Sequence, residues 1–330
     1  MTNREIALQL ALLALLLLAA GGFYAYQKSA AMVPVLVGHL DSDNFRVRQA
    51  AIARLQELGN SARAAAPRLL ALARDTRSRD APSATFALSR IDLAAAETAM
   101  ETARAALRSS DLQAKRRAAE ILGSLGLFAR AAVPLLIVAS RDDDALVRDR
   151  ATAALGRIGT PATQLLPALT AALGDPVYHV RYAAVVALEN LPPAAAAEAL
   201  PALQALAKDA ESSVRQRAQF VVKRIAEPRS PNVELEVARH MLPRDRESQL
   251  YSLHKLALLG PAAAPLAPEL AQLLAHSEDI VRYSAIETLG AIGPAAQSAT
   301  VALRGRLEDR DTVIRDAARR ALESIGEGKR

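Results

Sequence analysis

An apolar residue returns every 33 or 34 positions along most of this chain, as Leu55, Leu88, Leu122, Leu155, Leu188, Val222, Leu256, Leu289 and Leu322. Eight positions before it stands an aliphatic residue in Val47, Val147, Val180, Val214, Val281 and Ile314. Four positions after it comes a glycine in Gly59, Gly126, Gly159, Gly260, Gly293 and Gly326. A period of this size marks one supersecondary unit repeated, and such a unit buries its apolar face only by stacking on its neighbours. Nine units of 33–34 residues fill positions 32–330 and leave no room for a second kind of domain.

Each unit predicts two helices. Val147, Ala151, Leu155 and Ile158 fall on one face of a helix by their spacing of four, four and three, and Gly159 stops it. The first helix carries apolar runs with a proline in register, at Pro34, Pro67, Pro134, Pro167, Pro201 and Pro268, suited to starting or kinking it. Hydrophobic residues make up 51% of the chain but aromatics only 3%, a composition that suits closely packed helices better than sheets. The predicted fold is therefore all-α, a right-handed α-solenoid of nine helical hairpins. At ~9–10 Å per stacked layer it should be an elongated superhelix roughly 80–90 Å long.

The stretches LGDPVYHVRYAAVVAL (173–188) and LEDRDTVIRDAARRAL (307–322) resemble HEAT repeats, most closely those of the phycobilisome lyase type. That resemblance covers the chain from residue 32 onward. It implies a ladder in which a turn aspartate and an arginine opening the second helix tie successive units together. The fitting pairs are Asp142 with Arg148, Asp175 with Arg181, Asp209 with Arg215, and Asp309 with Arg315. Ala81, Lys115 and Gln249 depart from the pattern, so their units are expected to be looser or differently joined.

Residues 1–31 differ in character. Ile6 to Tyr26 carries no charge, and 21 helical residues reach roughly 31 Å, the thickness of a bilayer core. Phe23, Tyr24 and Tyr26 cluster at one end, as interfacial aromatics do. The expectation is a retained single transmembrane anchor in the bacterial inner membrane, N-terminus inside and solenoid in the periplasm. A cytoplasmic solenoid is the alternative. Cleavage near Ser29-Ala30-Ala31, releasing a soluble adaptor, is another.

Chemistry is scarcely signalled. There is no cysteine, which excludes disulfides and thiolate chemistry. His39, His179, His240, His254 and His276 are scattered without metal spacing, and the acidic turns at Asp41 and Asp142 lack an EF-hand glycine and glutamate. Phosphate loops and nucleophile elbows are absent, so no catalytic, cofactor or metal residues are expected. The net charge of +6 is spread among acids rather than gathered into a basic stripe, which argues against nucleic acid.

What remains is binding. Positions two and six after the aliphatic residue lie about 200° and 240° around the helix from it, away from its core face. From the fifth unit to the eighth these positions hold Tyr182, Val186, Phe220, Leu250 and Tyr283, an expected partner-binding stripe. The expected function is a membrane-tethered protein–protein interaction scaffold, an accessory subunit of a bacterial membrane complex. It would hold protein partners and, through its first helix, the bilayer; neither nucleic acid nor small-molecule substrate is expected. A lyase-like enzyme or pigment-handling factor is the alternative.

Overall fold

The computed structural model describes residues 30–227 and 231–326. Among them there are nineteen α-helices and no strands. In chain order, α1 (Val33–His39) pairs with α2 (Phe45–Leu58), and α3 (Ala66–Arg74) with α4 (Ala81–Ile91). Then come α5 (Leu93–Leu107) with α6 (Leu112–Ser124), and α7 (Val133–Ala139) with α8 (Ala145–Ile158). α9 (Ala162–Ala172) pairs with α10 (Tyr178–Asn190); the short α11 (Pro193–Ala196) and α12 (Leu200–Ala205) precede α13 (Ser212–Ala226). The last pairs are α14 (Pro231–Met241) with α15 (Arg246–Leu259), α16 (Ala267–Leu273) with α17 (Asp279–Ile292), and α18 (Thr300–Gly305) with α19 (Thr312–Ile325).

Local chemistry sets these boundaries. Asn44, Asp111, Asp144, Asp245 and Asp311 each cap a second helix by accepting a backbone N–H of its first turn. Gly159 ends α8 in the left-handed conformation at φ 68°. Pro34, Pro67, Pro134, Pro201 and Pro268 sit in the first turn of their helices, whereas Pro167 lies inside α9. The repeating leucines are core residues. In the sixth unit Val222, which takes the leucine's place, is only half-buried, whereas Val221, in the place of Ala154, is fully buried.

The second helices stack in succession from α2 through α4, α6, α8 and α10 to α13, and again from α15 through α17 to α19. A polar ladder runs beside this stack. Arg181 donates through Nε and Nη2 to the Asp209 carboxylate of the next unit, both at 2.7 Å, and through Nη1 to the Asp175 carbonyl of its own turn at 2.9 Å. Arg148 does the same to Asp175 and to the Asp142 carbonyl. Each arginine thus clamps its own turn and reaches one unit forward, rather than pairing with the side chain of its own turn. Lys115 fits the scheme, with Nζ 2.7 Å from Asp142, so its unit is joined after all. Arg77 reaches Asp111 and so supplies the rung that Ala81 cannot. Arg215 and Arg315 donate to backbone carbonyls of their own turns and, among the described residues, to no carboxylate.

One open superhelix is not what forms. Between α13 and α15 the stacking lapses, and the last three units fold back onto the first four. Helix α17 lies against α4 and the turn at Gly126–Ala132, while α19 meets α5. Arg90 makes a bidentate pair with Glu247 at 2.5 and 2.9 Å, Arg63 reaches Asp279 at 3.2 Å, and the Phe128 and Tyr283 rings meet at 4.9 Å. Enclosed in this way, every residue of α17 from Asp279 to Gly290 is buried.

The inner-membrane localisation needs correction too. Among the described residues no helix is long and apolar enough to cross a membrane. The stretch on which that expectation rested, with Ile6, Phe23, Tyr24 and Tyr26, lies outside the described residues.

Candidate functional site

Successive second helices approach closely because small residues meet between them. A Cβ added at Gly156 would lie 2.5 Å from Ala187, one at Gly123 3.0 Å from Ala154, and one at Gly290 3.3 Å from Ala321. Each glycine directly follows its repeat leucine, and each alanine directly precedes the next. At the sixth and seventh units those two positions hold Lys223 and Lys255. The ladder fails in the same region. Leu242 and Pro243 stand where Asp209 has its equivalent, and Gln249 and His276 replace the arginine and aspartate of the following rung. His276 still closes its turn, accepting the Glu278 N–H through Nδ1 as the ladder aspartates do for theirs, but offers no carboxylate. Two lysines and a missing rung thus coincide with the one place where the second helices, α13 and α15, do not stack.

The unstacked joint is a crevice of about 490 Å³ between α13 on one side and α14 and α15 on the other. Phe220, Val233, Val237 and Tyr251 line it and remain 53, 50, 51 and 52% exposed. Large apolar side chains gathered this way are unusual on a surface and usually mark an interface. Lys223, Arg224 and Lys255 also line the crevice, and among the described residues none forms an ion pair. Arg224 donates to the Leu191 carbonyl at 2.6 Å, and the Lys255 ammonium lies 5.7 Å from the centre of the Tyr251 ring. Burial, and then the neighbouring Arg224 charge, holds the Lys255 ammonium below its ordinary pKa, although Glu234 and Glu189 act the other way. Glu189, Glu227 and Glu234 are the acids of the lining; Glu189 is engaged by Arg217 at 2.6 Å.

A second cavity of about 390 Å³ lies where the folded-back units meet, among Phe86, Arg90, Phe128, Arg157, Glu247 and His254. Burial, aided by Lys255, lowers the pKa of His254 to about 4, so its ring is neutral near pH 7. Among the described residues no group of three histidines, aspartates or glutamates could hold a metal ion.

The expected stripe does not survive as one surface. Tyr182 and Phe220 are exposed, Val186 and Leu250 are half-buried, and Tyr283 is only 4% exposed, packed on Phe128. Only Phe220 of the five lines the crevice. Val233, Val237 and Tyr251 lie outside the two helix positions that defined the expected stripe, and no repeat signal singled them out.

The profile of HEAT repeats matches residues 100–166, 133–223 and 225–323. The chain belongs to the HEAT-repeat family. Among solved structures, an engineered protein is 22% identical over 89% of this HEAT chain and 88% of its own, at a TM-score of 0.41. A designed armadillo repeat protein in complex with the peptide (KR)4 is 20% identical over 58% of this chain and 99% of its own, also at 0.41. No curated protein matches it. Nothing in these likenesses singles out the phycobilisome lyase type.

Proposed function

We propose that this HEAT array is a protein–protein interaction scaffold and that partners engage it at the open joint between its sixth and seventh units. One observation carries the reading. In an array whose other junctions are closed by helix packing, four large exposed apolar side chains converge on the single joint that is not. Phe220 and Tyr251 are about half exposed, so a partner covering them would recover on the order of half of the ~1.5–3 kcal/mol that full burial of a side chain such as Phe contributes. Val186 sits on α10 at the register that Phe220 occupies on α13, Tyr182 lies one turn before it, and the two extend the candidate surface by one unit.

A photo-reactive phenylalanine analogue tests the site when placed at position 220 or 251 and, as a control, at Val301. Val301 is 81% exposed on α18, away from the joint. Defined adducts should form in cell extract from positions 220 and 251 and not from 301. Equal labelling from all three would remove the joint from consideration as the binding site.

A further inference from the structure

We infer that the crevice between α13 and α14–α15 seats an amphipathic helix of a protein partner, one that carries an aliphatic stripe flanked by acidic side chains. This rests on the scaffold reading above and names the chemistry of its partner.

The shape of the joint calls for a helix. Elsewhere along the stack each second helix meets another helix, and here both walls of the gap are helical and present apolar side chains toward it: Phe220 from α13, Val233 and Val237 from α14, and Tyr251 from α15. Val233 and Val237 stand four residues apart, one turn of α14, which is the spacing a helical ligand with residues at i and i+4 would match.

The charges select which helix. Lys223 and Lys255 stand in the positions where three other junctions join Gly to Ala, so at this joint two lysines occupy the place of a close contact. Neither forms an ion pair among the described residues; Glu234 and Glu189 attract Lys255 without touching it, and Glu189 is engaged by Arg217. The Lys255 ammonium is half-buried with no ion pair while Lys223 is exposed, so a carboxylate from the occupant relieves the cost of burying Lys255 and pairs with Lys223 at the surface. The chain's own apolar stretch Ile6–Tyr26 contains no Asp or Glu and cannot do this.

The test uses the full chain and three fluorescein-labelled helical peptides with leucines at i, i+3, i+4 and i+7. Glutamates flank the leucines in the first, glutamines in the second and lysines in the third. Fluorescence anisotropy should show the glutamate peptide binding about tenfold more tightly than the glutamine one, the scale of one charge-assisted hydrogen bond, with the lysine peptide weakest. Phe220→Ser with Tyr251→Ser should abolish binding of all three. Lys223→Glu with Lys255→Glu should move the preference to the lysine peptide, while Lys255→Arg retains it for glutamate; unchanged circular dichroism verifies each fold. Equal affinity for the three peptides, or a glutamate preference that survives the double charge reversal, overturns the inference. So does a dimer in sedimentation equilibrium that Phe220→Ser dissolves, since the face would then belong to a second copy. If no peptide binds while photo-adducts still form at position 220, the helix inference fails and the scaffold reading stands.

Discussion

At the scale of single residues, the arginine that opens a second helix touches two units at once. Arg181 holds the Asp209 carboxylate at two points and the carbonyls of Asp175 and Pro176. Arg181→Ala should therefore cost about 1.5–3 kcal/mol, a fall in melting midpoint of roughly 2–4 °C for a chain of this size. An unchanged midpoint would deny the ladder a structural role at this junction. The rungs also set the response to acid. The hydrogen bond from Arg116 holds the Asp144 carboxyl at about 2, and that from Arg181 depresses Asp209 likewise. At Asp175 and Asp309 burial opposes ionisation, but the guanidiniums of Arg148 and Arg282 outweigh it. Carboxyls whose folded pKa lies below the unfolded value of about 3.9 stabilise the fold fully above that pH and lose the contribution as pH falls toward about 2. Melting should thus begin to fall below about pH 6.5, where His254 would take a proton in the unfolded chain that its buried ring refuses until about pH 4, and deteriorate further below about pH 4 as the rungs are lost. Arg116→Gln should shrink only the second loss in thermal denaturation at stepped pH. The participants were legible in the sequence because their spacing repeats. Their pairing was not, since an arginine six positions after an aspartate along the chain can meet that residue's carbonyl while its fork serves the next aspartate.

At the scale of elements, close approach of helices distinguishes glycines that look alike in sequence. Gly156 faces the Ala187 backbone, so Gly156→Ala should force α8 and α10 apart at about 1–3 kcal/mol. Gly305 at the end of α18 has nothing within 4 Å of a new Cβ, and Gly305→Ala should stabilise by about 0.4–1 kcal/mol through the unfolded chain. Denaturant titration should give shifts of opposite sign; a common sign would contradict the packing assigned to α8 and α10. Helices were legible from their period of 3.6 residues, which depends only on local burial. Which faces stay wet was not. Tyr283 shares the expected stripe with Tyr182, but it sits on a helix enclosed from both sides, and nothing local to α17 encodes the second covering.

At the scale of the molecule, a repeat period specifies contact between neighbours and is silent about units far apart in sequence. For that reason the elongated superhelix was a fair expectation and a wrong one. The contacts that return the last three units to the first four include three ion pairs, Arg90 with Glu247, Arg63 with Asp279, and Arg130 with Glu287 at 3.5 Å, beside the buried apolar residues of α17. The ladder that would have held the array straight is missing at Arg215 and Gln249, so the sixth and seventh units are free of the geometry that fixes other junctions. Arg90 is the pair member that is buried, while Glu247 is largely exposed. Reversing Arg90 would place a second negative charge against Glu247 and leave it uncompensated in the contact, which favours separation of the two halves with each half still helical. Small-angle scattering should then show a larger radius of gyration for Arg90→Glu at unchanged circular dichroism, and the swap Arg90→Glu with Glu247→Arg should restore the smaller value. High salt should widen the single variant little, since its contact is already broken, but should loosen the parent. A single variant that scatters like the parent would mean that Phe128, Tyr283 and the apolar neighbours of α17 hold the closure without the ions.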